Sequence, residues 1–183
     1  RQPNQTADAV ATSRGAAKAG SHVEGQERRV LARIARRRVI YLDTSFLTPL
    51  FRQEAASVKV AAYLSRQAAG TLAVSKWTSV EFASLTSRDV RMGILTPIQG
   101  RRLISEFEAM IAASLVAFIP GANDFDLARE YTARFTAGLR GPDALHLAVA
   151  RNNGVELVIT LDIGMLAAAK KLKIPARRII RGT

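Results

Sequence analysis

The chain has 183 residues, 48% of them hydrophobic and 23% charged, which suits one globular domain with a real core. It has no cysteine and only two histidines, His22 and His146, so thiol catalysis, Cys-type zinc sites and iron–sulfur clusters are excluded, and a His-rich metal site or a Ser-His-Asp triad has little material. The 27 Lys and Arg against 15 Asp and Glu give a net charge of +12, a balance that favours polyanionic partners, above all nucleic acid.

Residues 1–38 carry nine basic and three acidic side chains. Up to about Gly25 this stretch is rich in Ala, Ser, Thr and Gly and has almost no large apolar residues, too few to offset the entropy of ordering it. It reads as a flexible basic extension ahead of a domain at 39–183. Near its end Val30, Leu31 and Ile34 fall at helical spacing among arginines, the pattern of a short basic amphipathic helix. The chain begins at Arg1 and its first methionine is Met92, so a trimmed chain, an alternative start codon or non-native upstream residues are the expectations. The Arg-rich composition is that of a transit peptide, but no apolar signal core accompanies it, and a cytoplasmic protein without a membrane span is expected.

From Val39 onward short apolar runs alternate with helical patterns. Strands are expected at 39–43, 71–75, 115–119, 157–160 and 176–180. Helices are expected near 44–51, 55–69, 76–90, 97–112, 123–137, 142–152 and 163–172. Pro97 and Pro142 suit first helical turns, and Gly70 and Gly154 suit helix stops. Leu103, Phe107, Met110 and Ile111 recur at three- and four-residue steps as a buried stripe. Strands separated by helices predict an α/β fold, a three-layer α/β/α sandwich with a parallel sheet of about five strands. Ligands of such sheets gather outside the carboxyl ends of the strands.

Asp43 follows the apolar run Val39-Ile40-Tyr41-Leu42, and Asp162 follows Leu157-Val158-Ile159-Thr160-Leu161. Each stands at a strand's C-terminal end before a helix, where an acid serves equally as an N-cap. Asp143 lies in the first turn of the helix begun by Pro142, a place the helix dipole favours for a carboxylate. Glu81, flanked by Val80 and Phe82, sits within the helix after the second strand, facing solvent or, if buried, needing a partner. Four carboxylates converging on one end of a sheet would repel one another, and a hard divalent cation, Mg²⁺ or Mn²⁺, relieves that repulsion while leaving room for a phosphodiester and a water.

In order, spacing and context, Leu42-Asp43-Thr44-Ser45, Ser79-Val80-Glu81-Phe82-Ala83, Asp143-Ala144-Leu145-His146-Leu147-Ala148 and Thr160-Leu161-Asp162 make the chain resemble a PIN-domain ribonuclease of the VapC toxin type, over roughly residues 39–180. The resemblance implies metal-dependent endoribonuclease activity, with water activated by the ion and products bearing a 5′-phosphate and a 3′-hydroxyl. It implies a cognate antitoxin that blocks the site, and a homodimer. It places the acidic metal ligands on Asp43, Glu81, Asp143 and Asp162, with Asp43 and Asp143 in direct contact with the ion. The hydroxyl beside the first acid falls on Thr44, next to Ser45, and the threonine before the last acid, which would orient water, on Thr160. The extension at 1–38 departs from relatives that begin near the first strand.

His146, three residues after Asp143 on an otherwise apolar helix, reads as packed rather than as a general base. Arg140 is either a phosphate contact or a solvated loop arginine. Trp77 and Phe82 read as core rather than as base-stacking platforms, and Lys170, Lys171 and Lys173 as a solvated helix end. A haloacid dehalogenase-type phosphatase needs a second Asp where Ser45 stands, and a receiver domain wants paired acids before the first helix and a late lysine, a pattern this chain matches poorly. No phosphate-loop or dinucleotide fingerprint is present. The non-enzymatic alternative is a catalytically silent RNA-binding module, suggested by Gly138-Leu139-Arg140-Gly141, whose G-x-x-G form clamps backbone in KH domains.

Overall fold

A computed structural model describes residues 38–52 and 54–179. All of the expected extension except Arg38, and with it the rest of its basic helix, lies outside the described residues. The elements, in chain order, are β1 (Ile40–Leu42), α1 (Thr44–Leu47), α2 (Pro49–Arg52), α3 (Ser57–Leu64), β2 (Leu72–Ser75), α4 (Lys76–Arg91), α5 (Pro97–Ser114), β3 (Val116–Phe118), α6 (Ala122–Ala133), a 3₁₀ turn (Phe135–Ala137), α7 (Gly141–Asn152), β4 (Leu157–Ile159), α8 (Ile163–Lys171) and β5 (Ala176–Arg177). All strand pairs are parallel, in the order β3-β2-β1-β4-β5. Right-handed crossovers then place the helices between β1 and β3 on one face and α6 to α8 on the other, giving the expected three layers.

β1 is the central strand and is buried from both sides. Its bonding to β4 outruns the formal strand, with Glu156 N–H donating to the Val39 carbonyl at 3.0 Å and Asp43 N–H to that of Ile159 at 3.1 Å. On the first face Leu42, Val74 and Ile159 of the sheet meet Phe46, Val60, Phe82, Phe107 and Ile111 of the helices. The rings of Phe82 and Phe107 stack at 3.9 Å, and Phe51 packs edge-on against both at 5.2 and 5.3 Å. This aromatic group fixes α4, and so fixes Glu81 one residue before Phe82.

Three helices differ from expectation, one of them the helix expected at 123–137, which ends at Ala133 and is followed by the separate 3₁₀ turn. The segment 44–51 is two short helices, because Pro49 has no N–H to continue α1 and instead starts α2. The helix expected at 55–69 covers only Ser57–Leu64. β5 ends at Arg177, and Ile180, its expected last residue, lies outside the described residues. Among the described residues no helix is long and apolar enough to cross a membrane.

α4 and α5 approach closely at buried Gly100, where an added Cβ would stand 2.8 Å from Val90 Cγ2. Replacing Gly100 with Ala should therefore destabilise the domain by about 1–2 kcal/mol through overpacking, read as a lower urea midpoint with an unchanged slope.

Candidate active site

The strand order reverses direction between β1 and β4, and the crevice there opens at the strands' C-terminal ends. Asp43 and Asp162 flank it. Each is also the N-cap of the helix it begins. Asp43 Oδ1 accepts from Phe46 N–H at 3.1 Å, and Asp162 Oδ1 from Met165 N–H at 2.8 Å. The capping role and the site role coincide, so the alternatives posed by the sequence are not exclusive.

Asp43 is only 4% exposed. Ser45 Oγ lies 2.9 Å from both its carboxylate oxygens, and Thr160 Oγ1 donates to Oδ2 at 2.9 Å. Thr160 Oγ1 also accepts from Asp162 N–H, and Ser45 Oγ accepts from Leu161 N–H, both at 2.9 Å. These two hydroxyls stitch the ends of β1 and β4 together. The Thr160 proton is thereby committed to Asp43. Burial pushes the Asp43 carboxyl up to about 6, against the opposing pull of His146, Ser45, Thr160 and the Phe46 amide.

Glu81 enters from α4, with its side chain 20% exposed. Its Oε2 accepts a short hydrogen bond from Thr44 Oγ1 and lies 2.5 Å from His146 Nε2. Burial opposes ionisation of Glu81, but His146, Thr44 and Trp77 outweigh it and hold the carboxyl below its usual range. The Trp77 Nε1 favours the Glu81 carboxylate, though it is buried without a hydrogen-bond partner.

His146 is 2% exposed, packed as the sequence suggested. It is also bonded at both ring nitrogens. Its Nδ1 lies 2.7 Å from the Tyr41 hydroxyl, which donates to Ser75 Oγ at 2.8 Å. Ser75, Tyr41, His146, Glu81 and Thr44 thus form one polar ladder that runs from the buried sheet to the wall of the crevice. Tyr41 and Ser75 were not among the expected site residues. The available signal was a tyrosine inside an apolar strand, whose hydroxyl needs a partner once buried.

Asp143 projects from the first turn of α7 with its side chain 20% exposed, and Asp162 lies 31% exposed. Burial raises the Asp143 carboxyl, Arg140 opposes that, and the charges of Asp162 and Glu81 add to it. The Arg140 guanidinium lies between the two acids, 3.4 Å from Asp143 Oδ2 and 3.6 Å from Asp162 Oδ2.

All four carboxylates line one cleft of about 440 Å³, together with Thr44, Ser45, Trp77 and His146. Thr160 lies beneath it, behind Asp43. A larger cavity, about 670 Å³, opens at the N-terminal ends of β2 and β3, but no ionisable side chain lines it. Among the described residues no group of three or more His, Asp or Glu side chains is already disposed to hold an ion. Glu81 is drawn toward His146 and Thr44, and Asp143 and Asp162 share Arg140. The donor chemistry nevertheless fits a hard divalent cation: four oxygen-bearing acids share one cleft, one of them buried at a cost that positive charge would relieve.

The PIN-domain family model matches residues 40–171, from the first strand through the last described helix. The chain belongs to the PIN-domain family. Its fold is also similar to that of several solved structures. The Mycobacterium tuberculosis toxin VapC20, described as cleaving the sarcin–ricin loop, is 22% identical with a TM-score of 0.56, over 70% of this chain and 94% of that one. FitAcB from Neisseria gonorrhoeae is 20% identical with a TM-score of 0.57, over 76% and 97% of the two chains. VapBC-1 from nontypeable Haemophilus influenzae is 12% identical with a TM-score of 0.55, over 76% and 96%. At these identities the likeness is one of fold. No curated protein matched this PIN-domain chain by sequence.

Proposed function

We propose that this PIN-domain chain is a divalent-metal-dependent endoribonuclease, the toxin of a toxin–antitoxin pair. The observation that carries the reading is the cleft in which Asp43, Glu81, Asp143 and Asp162, from four separate elements, meet at the sheet's switch point. Asp43 and Asp143 would hold Mg²⁺, or Mn²⁺ in its place, with Asp162 and Glu81 completing the surroundings. When bound, such an ion supplies charge neutralisation at the phosphodiester and an acidified water.

The chain's own residues supply the rest. Ser45 and Thr160 hold Asp43 in a single orientation. Thr44 and His146 do the same for Glu81. The net charge of +12 draws a polyanion toward a pocket that is itself acidic. The VapBC complex from Haemophilus influenzae is a precedent for the protein partner. An antitoxin seated over the cleft, a homodimeric toxin and a cytoplasmic site of action complete the reading.

Incubating RNA with the protein in Mg²⁺, in EDTA, and with an Asp143→Asn variant tests it. Cleavage is expected only for the unaltered protein with Mg²⁺, with the variant folded at an unchanged or higher melting temperature. Cleavage that persists in EDTA or in the variant overturns the metal–carboxylate site. Binding of RNA without cleavage in any condition favours the silent RNA-binding module.

A further inference from the structure

Arg140 caps the start of α7 from a loop bounded by Gly138, at φ +67°, and Gly141. Its side chain is 77% exposed and reaches from solvent onto two more deeply set acids. Among the described residues it is the one Lys or Arg paired with any of the four carboxylates of the cleft. Both contacts, 3.4 and 3.6 Å, are longer than the roughly 2.7–2.9 Å of a tight charge-assisted bond. The guanidinium therefore offsets the repulsion between Asp143 and Asp162 without being locked to either. A divalent cation drawn to the same two acids meets this positive charge already in place.

We propose that Arg140 is a tethered counter-ion: it covers Asp143 and Asp162 until a divalent cation displaces it, and the freed guanidinium then takes a phosphate of the RNA strand. The inference rests on the metal-dependent reading above. Two positive groups cannot share one acid pair at full strength, so ion and guanidinium compete. The displaced fork of N–H donors has the shape to grip a phosphate from two sides, and the flanking glycines give its backbone room to turn outward.

Calorimetric titration of Mn²⁺ into the metal-free full chain, into Arg140→Ala and into Arg140→Lys tests the competition, with RNA KM and kcat measured alongside. Loss of two exposed pairs should tighten Mn²⁺ binding about 5-fold in Arg140→Ala. The gain should shrink as ionic strength rises from ~0.05 to ~0.5 M, which a merely structural role would not produce. The KM for RNA should rise several-fold. Arg140→Lys, a point charge without the fork, should bind Mn²⁺ as the unaltered chain does yet share the raised KM. Equal or weaker Mn²⁺ binding by Arg140→Ala overturns the counter-ion proposal alone. No Mn²⁺ uptake by any of the three overturns the metal site, and the proposal with it.

Discussion

Asp43→Asn should abolish RNA cleavage while making the metal-free protein more stable at neutral pH. The Asp43 carboxyl is raised from its ordinary 3.8 to about 6 by burial, so the folded chain holds a proton there that the unfolded chain has already released. Stability is unaffected by this group below about pH 4, falls as pH climbs through 6, and carries the full penalty above it, on the order of 2–3 kcal/mol. Asparagine has no charge to desolvate and can still cap Phe46 N–H through its amide oxygen. Melting curves of the two proteins without metal should therefore separate from about pH 4 to just above pH 6 and stay a constant distance apart at higher pH, the variant higher. Added Mg²⁺ should raise the melting temperature of the unaltered chain and leave the variant unmoved. A variant that melts lower across the whole range would show that Asp43 is a structural cap first.

His146→Ala should cost about 3 kcal/mol of stability and much of the activity. The side chain is buried and bonded at both nitrogens, so truncation leaves a cavity and removes a partner from both the Tyr41 hydroxyl and Glu81. Glu81 then loses the interaction that holds its carboxyl below the usual range, while the burial that opposes ionisation remains. Its ionisation shifts to higher pH, so the acid limb of the rate profile should move upward. Urea unfolding and a pH–rate series on the purified variant check both effects. An unchanged acid limb would show that His146 only fills space.

The strand ends were the legible part of this molecule. Asp43 and Asp162 stand out because a charged residue directly after an apolar run has few places to go except the edge of a sheet. Asp143 is nearly as plain, set beside a helix-starting Pro142. Glu81 is not, since a glutamate on a helix faces solvent by default, and what turns it inward is the stacking of Phe82 on Phe107 across a long sequence interval. The ladder behind it was hidden for a related reason. A central parallel strand is apolar on both faces, so no alternation reveals that Tyr41 and Asp43 point the same way. The break at Pro49 was written in the sequence, as a residue unable to continue a helix begun five positions earlier. The early end of α3 at Leu64 was not, because Ala68 and Ala69 suit a helix and the turn to β2 is settled by where the sheet lies.

The double duty of Asp43 and Asp162 has one more consequence. Each carboxylate is bonded to the opening amide of a helix, Phe46 for one and Met165 for the other. Anything that pulls electron density from those oxygens also weakens the pull on these two peptide protons. Occupancy of the crevice is therefore written into the backbone itself, at two nuclei that an ¹⁵N spectrum can follow without any label on the ligand.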